Sequence, residues 1–298
     1  MTPRARAFRQ VDVFTQQAYQ GNGLAVVMDG SGLSQAQMQA FAQWTQLSET
    51  TFLLPPTAPE AHYQVRIFTP GGELPFAGHP TLGSCHAWLE AGGQTQDPDW
   101  VIQQCAIGLV RIHRQGAHLA FAAPALRRSA VDASLLAEIR SALGLSATQV
   151  LASQRLDNGP IWFGLLLDSA VSVRQLQPDH GRLRALGTKV GVAARLQPVA
   201  LPAGNASAAS ICAPGHEADL LVRAFAAPIG IAEDPVTGSL NASLAQWLME
   251  EGLMQKNYRA SQGSSIGRDG RVHLQCDDQG QVWVGGTTLT CINGQVWL

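Results

Sequence analysis

Three titratable side chains stand out in this 298-residue sequence for their settings. Glu49 is the only charged residue between Asp29 and Glu60, and it precedes the apolar run "TTFLLP". A carboxylate there either turns to solvent at a strand end or lines a site where burial raises its pKa. His79 stands in "ELPFAGHPTLGSCHAWLEAGG", after an Ala-Gly turn and at the mouth of an apolar helical run. It reads either as a cap partner of that helix or as a group that handles protons or holds a ligand. Asp234 opens "DPVTGSLNASLAQWLMEEG", three residues before Thr237-Gly238-Ser239, where ordinary turn chemistry also places an Asp. A zinc site built from His79 and His86 is excluded, because seven helical residues span about 10.5 Å and zinc ligands sit about 2 Å from the metal.

The two segments that carry His79 and Asp234 match one another. Glu73, Pro75 and Gly78 recur 160 positions later as Glu233, Pro235 and Gly238, and Glu90 and Gly92 recur as Glu250 and Gly252. A helix N-terminus exposes unpaired N–H groups and a positive dipole end, worth about 0.3–1 kcal/mol to a nearby anion. Gly78 and Gly238 let a ligand approach the backbone closely. One such glycine merely ends a strand. Two in register predict paired helix mouths that face a common cleft and bind an anion.

The elements that must position these groups are mostly strands. "FRQVDVFT" and "GLAVVMDG" read as a strand pair around the turn-rich "QQAYQGN". Ser34 caps a helix whose apolar face holds Leu33, Met38, Phe41 and Ala42. "TTFLLPP" and "HYQVRIFTP" are strands, and "WVIQQCAIGLVRIHRQ" with "AHLAFAAP" reads as a hairpin-like pair. Residues 123–128 form a candidate linker. The second half repeats the order: a Ser134-capped helix to Leu143, strands at "PIWFGLLLD" and "LQPVAL", then strand, turn, helix and closing strands. One long apolar helix per half predicts a sheet curled around a central helix, with the Ala87/Trp88/Leu89 and Trp247/Leu248 faces buried.

Composition bounds the function. Apolar residues make up 46% and charged residues only 14%, against about 25% charged in an average globular protein, so two well-buried domains are expected. A net charge of −2 with no Lys/Arg run leaves no basic face for nucleic acid. No stretch has the length of a signal peptide's apolar region or of a membrane span. Five scattered cysteines, at 85, 105, 212, 276 and 291, without a C-x-x-C pair read as free thiols in a reducing cytoplasm.

"SETTF" (48–52), "RIFTPGGELPFAGHP" (66–80), "RAFAAPIGIAEDPVTGS" (223–239), "QGSSIGR" (262–268) and "VWVGG" (282–286) resemble, in order and along almost the whole chain, the motifs of the PhzF-like family of phenazine-biosynthesis isomerases and epimerase-like proteins. The resemblance implies an α+β fold of the diaminopimelate-epimerase type, with two pseudo-symmetric barrel-like domains, each around a central helix. The domains would be 1–124 and 125–287, with the last strand near 288–298 packed on the first. It also implies a cofactor-independent, metal-free, cytoplasmic isomerase, homodimeric, with a site in the interdomain cleft. The expected substrate is a small cyclic carboxylate like trans-2,3-dihydro-3-hydroxyanthranilate, with no nucleic-acid or membrane partner. Glu49 would move a proton between carbons; His79 and Asp234 would hold and polarise the substrate; Gly78, Gly238 and Ser239 would bind it. Cofactor-independent amino-acid racemases of the same fold use two opposed cysteines. Neither turn here contains one, and Cys85 pairs at the 160-residue offset with Ala245. A racemase or epimerase, or a non-catalytic small-molecule-binding protein, remains the alternative.

Overall fold

The computed structural model describes residues 3–196 and 218–298. Cys212 and residues 197–201 of the strand expected at "LQPVAL" lie outside the described residues. The chain forms two compact units, Met1–Ala122 with Gly285–Leu298, and Ala123–Val284. These boundaries fall two to three residues earlier than the sequence suggested.

In the first unit, β1 (Ala5–Val13) and β2 (Asn22–Val27) are antiparallel. Helix α1 (Gln35–Thr45) starts at a capping box, in which Ser34 Oγ accepts from the Gln37 backbone N–H while Gln37 Oε1 accepts from that of Ser34. Its buried Met38, Phe41 and Ala42 pack on Phe52 and Phe68. The helix makes the crossover that lays β3 (Glu49–Leu54) parallel to β2. β4 (Tyr63–Thr69) runs antiparallel to β3, and β5 (Gly72–Leu74) folds back on β4. Helix α2 (Gly78–Glu90) follows, then β6 (Trp100–Cys105) parallel to β4, β7 (Gly108–Gln115) and β8 (His118–Ala122). The run expected as one hairpin arm is therefore two strands, β6 and β7, paired antiparallel. From Gly285 on, the closing strand (Val282–Trp297) pairs antiparallel with β1, with a register shift between Gln10 and Val11.

The second unit repeats the plan. After β9 (Arg127–Ser129) and α3 (Ala133–Leu143) come β10 (Val150–Asp157) and β11 (Ile161–Leu167), an antiparallel pair. Two short helices, α4 (Ala170–Gln175) and α5 (His180–Leu186), lead to β12 (Val190–Arg195), parallel to β11. β13 (Leu220–Ala226) is antiparallel to β12, and β14 (Ile231–Asp234) to β13. Helix α6 (Gly238–Glu250) precedes β15 (Asn257–Gln262), parallel to β13, and β16 (Gly270–Cys276). The closing strand is β17.

α2 and α6 start and end 160 positions apart, each 13 residues long, and each is followed by a glycine of positive φ, Gly92 and Gly252. Leu82, Cys85 and Ala87 of α2 and Leu244, Trp247 and Leu248 of α6 are fully buried. Trp88 and Leu89 are only half-buried, because the last turn of α2 emerges from the sheet, where Trp88 stacks on Tyr63 at 5.4 Å between ring centroids. Two further expectations are corrected. α3 is capped by Asp132, whose carboxylate accepts from the Ser134 and Leu135 N–H groups, and Ser134 lies inside the helix. The candidate linker is partly strand, since β9 pairs with β10 through Arg128 and Leu156.

Candidate active site

Glu49 is the first residue of β3, paired in parallel register with Leu24 of β2. Its side chain is only 16% exposed, which rules out the solvent-facing reading. Oε2 is buried without a hydrogen bond and lies 3.4 Å from His79 Nε2, longer than a good hydrogen bond. Burial pushes the carboxyl pKa from 4.5 up to about 7, with the Ser48 hydroxyl pulling the other way. A carboxylic acid that titrates near neutrality is matched to taking and returning a proton at the same pH.

His79 is the second residue of α2 and is 5% exposed. The N-cap of α2 is Ala77, and no side chain caps the helix, so the cap-partner reading of His79 falls. The ring is set against Glu49 by the rigid start of the helix. Gln103, wholly buried on β6, donates to Thr81 Oγ1 at 3.1 Å and accepts from the Tyr63 hydroxyl at 3.0 Å, while Thr81 Oγ1 donates to the Ala77 carbonyl at 2.9 Å. The β4–β5 hairpin that feeds this turn is clamped by Arg66, whose guanidinium donates twice to Glu73 at 2.7 and 2.6 Å. Arg66 also covers Phe68 at 5.1 Å from the ring centroid.

The second unit has the same clamp. Arg223 donates twice to Glu233 at 3.0 and 2.8 Å and covers Phe225 at 5.1 Å. It also donates to the Val173 and Leu176 carbonyls, so it satisfies the C-terminal end of α4. Asp234, next to Glu233, accepts from the Thr237 hydroxyl through Oδ2. Gln262, 0% exposed, ties the turn together: Nε2 donates to the Asp234 carbonyl and Thr237 Oγ1, and Oε1 accepts from the Thr237 N–H and Asn241 Nδ2. Gly238 and Ser239 open α6, whose N-terminus no side chain caps. Ser239 is held on both sides. Trp162 Nε1 donates to its Oγ at 3.1 Å and Asn158 Nδ2 to its carbonyl at 3.0 Å.

The structure thus brings Glu49 and His79 together in the first unit, and Asp234, Gly238 and Ser239 around one turn in the second. Gln103, Gln262 and Trp162 were not singled out in the sequence. Cys85 is 0% exposed and its thiol is pushed up to about 12 by burial, so it is no poised base. Among the described residues no group of three or more His, Cys, Asp and Glu could hold a metal ion, and no helix is long and apolar enough to cross a membrane.

A doubled sheet-and-helix frame, each half with a 13-residue helix at the matching place, is an α+β fold of the epimerase-like class. Comparison with known proteins agrees. Residues 11–294 match the family described as phenazine biosynthesis-like protein. The chain is 33% identical to antisense-enhancing sequence 1 of Schizosaccharomyces pombe, over 98% of this chain and 99% of that one. It is 31% identical to trans-2,3-dihydro-3-hydroxyanthranilate isomerase of Pseudomonas aeruginosa, over 97% and 98%. The crystal structure of a predicted epimerase from Pseudomonas aeruginosa superposes with a TM-score of 0.76 at 27% identity, over 98% of this chain and 99% of that one. The chain belongs to the phenazine biosynthesis-like (PhzC-PhzF) family, and it is an isomerase of that family.

Proposed function

We propose that this isomerase moves a proton between carbons of a small, carboxylate-bearing cyclic substrate of the trans-2,3-dihydro-3-hydroxyanthranilate type, with Glu49 as the acid–base group. The observation that carries this reading is the Glu49 carboxyl itself, buried and lacking a hydrogen bond at Oε2, a setting in which burial pushes its pKa up to about 7. A structural carboxylate at that depth would be hydrogen-bonded on both oxygens. In the proposed step the carboxylate takes a proton from one ring carbon as the double bond shifts, and the resulting carboxylic acid returns it to another carbon. No electrons are gained or lost and no co-reactant is consumed. His79 holds and polarises a polar group of the substrate beside Glu49, and Asp234, Gly238 and Ser239 are the groups of the second unit that bind it. Supporting this, the uncapped starts of α2 and α6 leave backbone N–H donors available to an anion.

The test is turnover of trans-2,3-dihydro-3-hydroxyanthranilate in D2O, read by NMR. Deuterium or retained hydrogen at the newly protonated carbon, and its loss in Glu49→Gln with ligand affinity held within about a few-fold, supports the reading. A Glu49→Gln enzyme that turns over at the wild-type rate rejects it. A two-thiol racemase is disfavoured by the buried Cys85 thiol, which burial keeps protonated, and by Ala245 at the matching position.

A further inference from the structure

The repeated frame identifies the counterpart of Glu49. In the first unit, Arg66 of β4 faces Phe52 of β3, three residues past Glu49. In the second, Arg223 of β13 faces Val192 of β12, three residues past Lys189. The parallel partners agree. Glu49 pairs with Leu24 on β2, and the β11–β12 register, with Phe163 opposite Val190, sets Lys189 beside Trp162. The place held by the acid in one half is held by a cation in the other.

Lys189 is a singular residue. The chain carries 20 cationic side chains, but only Lys189 and Lys256 are lysines. Its ammonium lies 5.0 Å from the centroid of the Trp162 ring. That same ring donates its N–H to Ser239 Oγ at the first turn of α6. The Ser239 hydroxyl already accepts from the indole, so its own hydrogen is left for an acceptor. Asn158, 8% exposed, holds the Ser239 carbonyl through Nδ2 and has its Oδ1 buried without a hydrogen bond, an acceptor left for an incoming donor. Among the described residues Lys189 makes no ion pair, and the charge that acts on it is Asp234. Partial burial lowers its pKa, with Asp234 opposing the shift, so the ammonium is partly desolvated without a salt bridge to compensate. An ammonium left in that state binds an incoming anion more strongly than an arginine already engaged in a clamp.

We propose that Lys189 is a specificity-determining residue that receives the substrate's carboxylate at the start of α6, together with the Ser239 hydroxyl. Trp162 is the positioning residue: its face carries the ammonium and its N–H orients Ser239. The proposal rests on the reading of the substrate as a carboxylate, and it assigns the recognition of that carboxylate to a side chain.

Two probes separate this from a structural role, 3-hydroxyanthranilate and the carboxylate-free 2-aminophenol, titrated calorimetrically into the full chain. Lys189→Met, which keeps the apolar stem over Trp162, is expected to weaken the acid about tenfold or more while leaving 2-aminophenol within about twofold. Lys189→Arg should restore most of the loss. Reductive 13C-methylation keeps the charge and yields only two side-chain lysine signals, of which that of Lys189 should move with the acid while that of Lys256 stays. A Lys189→Met chain that loses both ligands equally, or neither, overturns the proposal. Should wild-type protein bind neither ring compound, the cyclic-substrate reading fails on its own. Benzoate and acetate then decide the lysine: a saturable shift of the Lys189 signal upholds it, and an unmoved signal overturns it.

Discussion

Replacing Glu49 by Gln should stabilise the folded chain above neutral pH and make its stability less dependent on pH. The Glu49 pKa rises from 4.5 to about 7 on folding, because burial disfavours the charged form. The folded state therefore holds that proton more tightly than the unfolded state. The contribution is fully present below about pH 4.5 and is lost as pH rises through about 7. At about 1.36 kcal/mol per pKa unit, ionising Glu49 costs about 3 kcal/mol by pH 8.5. With 16% of the side chain exposed, solvent screening removes little of this. Amide burial has its own cost, but that cost does not titrate, so the readout is a double difference. Urea unfolding of both proteins at about pH 4.5 and pH 8.5 should show the stability gap between the Glu49→Gln variant and wild type moving by about 3 kcal/mol in favour of the variant at the higher pH. The expected companion is a variant that is more stable where it is less active. Two stability–pH curves that run parallel across this range would refute the argument, since they would mean that Glu49 is solvated or paired in solution.

Further outcomes are expected. The pH profile of kcat/KM should rise with an apparent pKa near 7 as the Glu49 carboxylate forms, and steady-state rates across pH check it. Glu49→Asp should lose turnover by about 100-fold or more, since withdrawing the carboxylate by one methylene spoils the transfer geometry, while the fold by circular dichroism stays intact. Arg223→Met strands Glu233 at 7% exposure and frees the Val173 and Leu176 carbonyls, so denaturant unfolding should show a loss of about 3–5 kcal/mol; Arg66→Met, at a pair about one quarter exposed, should cost about 1–2 kcal/mol. Gln262→Leu removes the acceptor of the Thr237 N–H and one of the two acceptors of Asn241 Nδ2, so unfolding should become about 3 kcal/mol easier.

Much of this was legible in the sequence because repetition speaks loudly. The 160-residue offset found both long helices, and the "GH" and "GS" turns found both helix starts. Glu49 was visible as an isolated charge, but its burial is decided by β2 and by the start of α2, which are distant in sequence. Asp132 and Ser134 both have cap chemistry, and only the backbone shows that Asp132 lies outside the helix. Trp88 looked like core because helical periodicity does not reveal where a sheet stops covering a helix. Lys189 was illegible for a plainer reason. "ALGTKVG" reads as an ordinary polar loop entering a strand, and its meaning comes from the Trp162 ring beneath it and from the register that makes it the counterpart of Glu49.

The twin arginine–glutamate clamps divide heredity between the two halves in an uneven way. Each clamp fixes the hairpin in front of its helix without involving the residue at the head of the neighbouring parallel strand. The clamps can therefore hold the fold whatever residue stands at the strand heads. One half carries a carboxyl group at that place, Glu49, and the other an ammonium, Lys189. Where the two halves differ at these strand heads, folding sets no demand that they agree, so variation at position 189 is expected to leave both clamps and both long helices in place.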